Sequence, residues 1–155
     1  MLTTDDRLAP AARWIESLQP IALLALRLYV GQIFFRSGWL KISDWSSTLA
    51  LFADEYHVPL LSPSLAAVMG TGGELIFSSL VILGLFGRIG AAGLFAVNVM
   101  AVISYPQLMQ FECPAAINNH WFWGTLLGLL FVFGPGRLAI DAWLMRRRVS
   151  QTAMG

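Results

Sequence analysis

Apolar and polar residues in this chain are segregated into long blocks rather than alternated along it. Four apolar blocks approach the about 20 residues that a helix needs to cross bilayer hydrocarbon. They run roughly Pro20–Lys41, Pro63–Phe86, Arg88–Tyr105 and Asn119–Trp143, with Pro20, Pro63 and Pro106 at or beside block ends. The second and third are joined by the short "GLFGRIG", which predicts a helical hairpin. The third and fourth are separated by "PQLMQFECPAAINN". The long first connection, "SDWSSTLALFADEYHVPLLS", carries Leu49, Phe52 and Tyr56 at helical spacing, while Asp54 and Glu55 face away. That pattern predicts a short amphipathic helix lying at the bilayer surface. The expected fold is therefore all-α: a four-transmembrane-helix bundle with a short interfacial helix in the first outer loop. Residues 1–19 and 146–155 are expected to flank a membrane domain over 20–145.

Charge placement adds a direction. One side of the bundle collects Arg7, Arg13, Arg88, Arg137, Arg146, Arg147 and Arg148. The other holds Lys41 beside Asp44, Asp54, Glu55 and Glu112. Basic residues are retained on the cytoplasmic side, so both termini are expected there. Trp14 and Trp143 fall near that interface, and Trp39, Trp45, Trp121 and Trp123 near the outer one. The first block is expected to be kept rather than cleaved as a leader, because Asp5, Asp6 and Glu16 precede it and no small-residue cleavage site follows.

Composition agrees with a membrane protein. Hydrophobic residues make up 57% of the 155-residue chain and charged residues 12%, against about 45–50% and about 25% in soluble domains. Mean hydropathy is +0.66. A net charge of +1 gives no sign of nucleic-acid binding, and the single cysteine, Cys113, excludes an internal disulfide or an all-cysteine metal cage.

Against this background one residue stands out. Arg27 sits inside "ALLALRLYVGQIFF", where a guanidinium that cannot be neutralised needs a partner. Glu74, within "MGTGGELIFSS" of the second block, is the natural nominee. At a rise of about 1.5 Å per residue, Arg27 lies about 10–12 Å and Glu74 about 18 Å from the cytoplasmic ends of their helices. Arg27, Gly31, Phe34, Gly38 and Lys41 share one helical face, and Ala67, Gly70, Glu74, Ser78 and Val81 share another. Small residues on both permit close approach. Arg36 lies opposite Arg27 and is expected to snorkel outward or meet another helix. Asn98 joins the polar set from the third helix, on a stripe with Val102, Tyr105 and Met109; Gly124 and Gly128 suit close packing in the fourth. The expected intramembrane cluster is Arg27, Glu74 and Asn98, with Lys41 and Tyr105 toward the outer mouth. Such a cluster serves either to pin helix register or to handle a substrate, proton or quinone.

The outer loops offer further chemistry. Cys113, His120, His57, Met109 and Glu112 are soft and borderline ligand types that suit copper, although Met109, Cys113 and His120 match no tight metal motif. Neither histidine is mid-span, which argues against a bis-histidine haem. "GPG" at 134–136 ends or kinks the last helix, and Asp141 beyond it is expected to pair with Arg88 or Arg137. "RRR" at 146–148 is a topology determinant first and an anionic-lipid contact second.

The segments "RLYVGQIFFRSGWLKI" (27–42), "GTGGELIFSSLVILGLFGR" (70–88) and "GPGRLAIDAWL" (134–144) together resemble the DoxX family. The matching positions are Arg27, Gly31, Lys41, Glu74, Gly134, Pro135, Gly136 and Asp141. Ala139 stands where the family often has a serine. The resemblance implies a small subunit of a membrane redox system linked to quinone, in a bacterial inner membrane. Association with copper and modified peptides, suggested by "ISYP" and "WSSTLALF", is the alternative. Three functions thus compete: a membrane subunit or accessory component of a quinone-linked redox system; an accessory protein for copper or peptide handling or export; and a non-catalytic scaffold. Each implies the lipid bilayer and another membrane or periplasmic protein as partners.

Overall fold

The computed structural model describes residues 4–109 and 114–152, with side chains from residue 14 onward except 148 and 150–152. Among the described residues six α-helices run in the order α1 (Thr4–Ser43), α2 (Trp45–Asp54), α3 (Pro63–Leu83), α4 (Gly87–Ser104), α5 (Pro114–Phe133) and α6 (Ile140–Thr152). A 3-10 turn, Pro106–Met109, follows α4. Trp14–Ser43 of α1, α3 and α4 are each long and apolar enough to cross a membrane. α5 completes the bundle beside them, its hydropathy diluted by Asn118, Asn119 and His120 in its first turns.

The helices close into a ring in which α1 packs on α3, α3 on α4, α4 on α5 and α5 on α1. At the centre lie Val30, Phe34, Val81, Ala91, Leu94, Leu127 and Leu130. The perimeter is as apolar as the core: Leu28, Leu40, Ile76, Ile89, Phe95 and Val132 are all exposed. An aqueous protein does not leave such a continuous apolar belt uncovered, and hydrocarbon is the solvent that suits it.

Small residues set the α1–α3 contact. A Cβ added at Gly31 would stand 2.5 Å from Ile82, and one at Gly38 would stand 2.8 Å from Leu75. Only backbones without that atom can come so near. Gly124 does the same work for α5, lying against Asn98 and Phe95 of α4. Gly128, the other half of the expected glycine pair, faces open space.

The first and last blocks differ most from the sequence reading. α1 does not start at Pro20; the helix runs unbroken through it from Thr4. Proline there removes one backbone hydrogen bond but leaves its neighbours in place. The last helix does not extend from Asn119 to Trp143 either. It stops at Phe133, and α6 is a separate helix. Gly134 (φ 78°) and Gly136 (φ 81°) flank Pro135 in left-handed conformations, which turn the chain back toward the bundle.

α2 is capped by Asp44, whose carboxylate accepts from Ser47 N at 3.0 Å. Its apolar face lies on protein rather than on lipid alone. Phe52 packs on Ala66 and Ala67 of α3 and reaches within 3.2 Å of where a Gly70 Cβ would be. Tyr56 stacks edge-on against both Phe52 and Tyr105, and His57 N donates to Ser104 O at 2.7 Å. α2 therefore closes the end of the α3–α4 hairpin that the sequence expects to be the outer one.

Candidate functional site

The polar and charged residues of the bundle do not converge on one centre. They form three separate arrangements, at two ends and one side.

At the outer end, Glu74 of α3 is held by Lys41 and not by Arg27. Lys41 Nζ donates to both Glu74 carboxylate oxygens at 2.8 Å and to Ser37 Oγ at 2.8 Å. Ser37 Oγ donates in turn to Glu74 Oε1 at 3.2 Å. Both charged side chains are nearly buried, at 13% and 11% exposed. Lys41 and Ser37 lie one helical turn apart on α1, so the helix itself presents both donors to the carboxylate. Gly38 between them lets α3 approach: an added Cβ would lie 3.1 Å from the Glu74 Cβ. Tyr56 lies close enough to feel the Glu74 charge, and burial first, then that charge, raise its phenol above the usual value. Tyr105 belongs to this end through its stacking on Tyr56.

At the inner end, Arg27 is 2% exposed. Its Nη2 donates to Leu138 O at 3.0 Å, while Nε and Nη1 are buried without a hydrogen-bond partner. The guanidinium lies against Gly84, the left-handed residue that ends α3. Gly84 is ten residues from Glu74, about 15 Å along the helix, which is why the expected Arg27–Glu74 pair does not form. The register is the difference: α1 runs on through Pro20, which sets Arg27 level with Gly84 at the end of α3 rather than deeper beside Glu74.

Asp141 works beside Arg27 but pairs with neither Arg88 nor Arg137, as the sequence suggested. Its two oxygens accept from Phe86 N and Gly87 N, each at 3.0 Å. A carboxylate on the free amides of a helix N-terminus is a strong cap. Asp141 N also donates to Gly84 O at 3.1 Å. The loop after α5 is thus fastened onto the α3–α4 turn, and Asp141 is the acid whose field acts on Arg27. Phe86 holds a positive φ of 47°, a strained conformation for a non-glycine residue that this clasp supports.

The third arrangement is on the side of the bundle. Asn98 of α4, 4% exposed, does not reach Arg27 or Glu74. Its Nδ2 donates to His120 O at 3.0 Å, and its Oδ1 lies 2.8 Å from His120 Nδ1. Because a carbonyl can only accept, the amide group facing His120 O is the NH2. The atom facing Nδ1 is then the amide oxygen, so Nδ1 carries the proton. In the neutral ring Nε2 is left as a hydrogen-bond acceptor, and it makes no hydrogen bond among the described residues. Asn98 and His120 line a cavity of about 390 Å³ between α4 and α5, walled by Phe95, Met109, Trp121 and Thr125. That is within the size range of small-molecule sites, about 300–1,000 Å³. The sequence puts Met109 on the Asn98 stripe and also beside His120 among the loop ligands, but keeps Asn98 and His120 apart. It could not show that the first turns of α5 set His120 beside Asn98.

Of the suggested outer metal ligands, His57 bonds back to Glu55 O through Nδ1, and His120 is engaged with Asn98. Among the described residues no three His, Cys, Asp or Glu side chains are grouped to hold a metal ion. Cys113 and Glu112 lie outside the described residues. Arg36 is exposed on the perimeter.

A profile of the DoxX family matches residues 22–107, which takes in α2, α3, α4 and the greater part of α1. An uncharacterised membrane protein of Mycobacterium tuberculosis is 24% identical over 153 residues, spanning 87% of this chain and 88% of that protein. No solved structure matches.

Proposed function

The chain belongs to the DoxX family of membrane proteins, and from that premise we propose that it is a membrane subunit or accessory component of a quinone-linked redox system. The α4–α5 cavity is its quinol-holding site. One observation carries this reading: an apolar cavity lined by a hydrogen-bonded polar pair, the buried Asn98 and the half-buried His120. A hydroquinone is a flat apolar ring with hydroxyl donors, and His120 Nε2 is an acceptor of the kind such a hydroxyl needs. Phe95, Trp121 and Met109 supply apolar and polarisable surface for the ring. Asn98 acts as the positioning residue, fixing the imidazole tautomer. The arginine distribution supports placing the termini in the cytoplasm of a bacterial inner membrane. His120 then lies toward the outer face, where a periplasmic or membrane partner could exchange electrons with the ring.

The test is binding of a short-tailed hydroquinone and of its oxidised form to the purified protein. The reduced form should bind about 3–10-fold more tightly, since the quinone carbonyls cannot donate to Nε2 and one hydrogen bond is worth about 0.5–1.5 kcal/mol. His120→Phe should abolish the preference. Equal affinity for the two forms, unchanged in that variant, would remove the proposal.

A further inference from the structure

A separate cavity, lined by charged side chains, is not used by the quinol reading. It measures about 440 Å³ and lies at the arginine-rich end of the bundle, between α1, the 134–137 turn and α6. Arg88 and Arg137 line it together with Gln19, and Leu23, Phe133 and Met145 form apolar walls. Neither arginine is in an ion pair: the salt bridge among the described residues is Lys41–Glu74. Arg88 spends one donor on Val132 O, at a long 3.4 Å, leaving most of its five N–H groups free. Asp141 also lines the cavity, but both its oxygens already accept from the α4 amides. The residual charge at the mouth is positive.

The location matters as much as the charge. Trp143 is exposed nearby on α6 with the Arg147 guanidinium 3.8 Å over its ring, the signature of a membrane–water boundary. Phe133 and Met145 are about 60% exposed on the rim, so the cavity opens to lipid as well as to water. Its floor is rigid, because Pro135 packs on Gly87 with no room for a side chain there.

We infer that this cavity binds the phosphodiester headgroup of an anionic glycerophospholipid, with Arg88 and Arg137 as the phosphate ligands and Gln19 as a further polar contact. Guanidinium forks match phosphate oxygens, and the apolar rim takes the start of the acyl chains. Clamping a headgroup here would tie α1, α4 and α6 together where Asp141 already joins α4 to α6. A soluble phosphate ester shares the headgroup chemistry but has no use for the Phe133–Met145 rim.

The full-length protein in mild detergent can be tested with phosphatidylglycerol, phosphatidylcholine and inorganic phosphate, reading retained lipid by native mass spectrometry and Tm. Phosphatidylglycerol should be retained and raise Tm, and the other two should do neither. Arg88→Gln with Arg137→Gln should weaken phosphatidylglycerol binding about thirtyfold. Arg146→Gln with Arg147→Gln removes the same formal charge outside the cavity lining and should cost clearly less. Arg137→Gln alone, on an exposed turn, covers the case in which the double variant folds poorly, and should still show a clear loss. Equal retention of phosphatidylcholine, equal losses in the two double variants, or displacement of phosphatidylglycerol by millimolar phosphate would each overturn the assignment.

Discussion

Two buried cations in this bundle are compensated in different ways. At the outer end Lys41 meets the carboxylate of Glu74, with Ser37 completing the hydrogen bonding, and both charges are cancelled side chain to side chain. At the inner end Arg27 donates to a backbone carbonyl, and the nearest acid, Asp141, is committed to capping α4. The difference follows from depth. The outer pair lies where α3 presents a carboxylate, Glu74, directly to the last turn of α1, so the charge is answered side chain to side chain. Arg27 lies level with two chain reversals, the α3–α4 turn and the 134–139 segment, where carbonyls are free of helical duty.

The comparison predicts unequal responses to mutation. The largest effect belongs to the outer pair. Lys41→Leu or Glu74→Leu leaves an unmatched charge in low dielectric and should cost about 3–5 kcal/mol. The double change Lys41→Leu with Glu74→Leu should recover most of that, as read by unfolding in detergent or bicelles. A double variant as unstable as the sum of the singles would break the contrast.

A smaller loss is expected at the inner end. Arg27→Leu removes one charge-assisted hydrogen bond to a carbonyl, about 1.5–3 kcal/mol. Arg27→Leu and Glu74→Leu should add, because sites this far apart couple by no more than about 0.3–0.5 kcal/mol. A rescue of Arg27→Leu by Glu74→Leu would instead restore the direct pair that the sequence suggested.

The smallest effect is a titration. Burial, reinforced by the Glu74 charge, holds the Tyr56 phenol above its ordinary value of 10.0. The unfolded chain therefore loses this proton first as pH rises. The contribution is intact below pH 10 and is lost as pH climbs through the higher native value. Phenolate absorbance should show a late-titrating tyrosine that disappears in Tyr56→Phe. It should move toward the ordinary range in Lys41→Leu with Glu74→Leu and stay put in Arg27→Leu.

The helical faces of α1 and α3 were legible because their period is local. Arg27, Gly31, Phe34 and Gly38 are all buried, as are Ala67, Glu74, Ser78 and Val81. Glycine on those faces correctly marked the close contact. What the sequence hid was register between helices, which depends on where turns fall in space. Pro20 looked like an edge and is mid-helix, so Arg27 was matched to the wrong level of α3. Asp141 was read as an arginine partner because charge attracts attention in a sequence and backbone amides do not. His120 falls among the loop ligands because it stands at the very edge of a block read from Asn119, whereas α5 begins at Pro114. The three-part division of the polar residues could not be read from any single helix.

The distance along the chain between Arg27 and its carbonyl has a consequence in time. Glu74 follows Lys41 by 33 residues, about 2–7 s of synthesis at about 5–20 residues per second. Leu138 follows Arg27 by 111 residues, about 6–22 s at the same rate. The first helix therefore leaves the ribosome with an arginine whose acceptor has yet to be made. During that interval the outer ion pair can already lock α1 to α3, before the end of the chain arrives to cover Arg27.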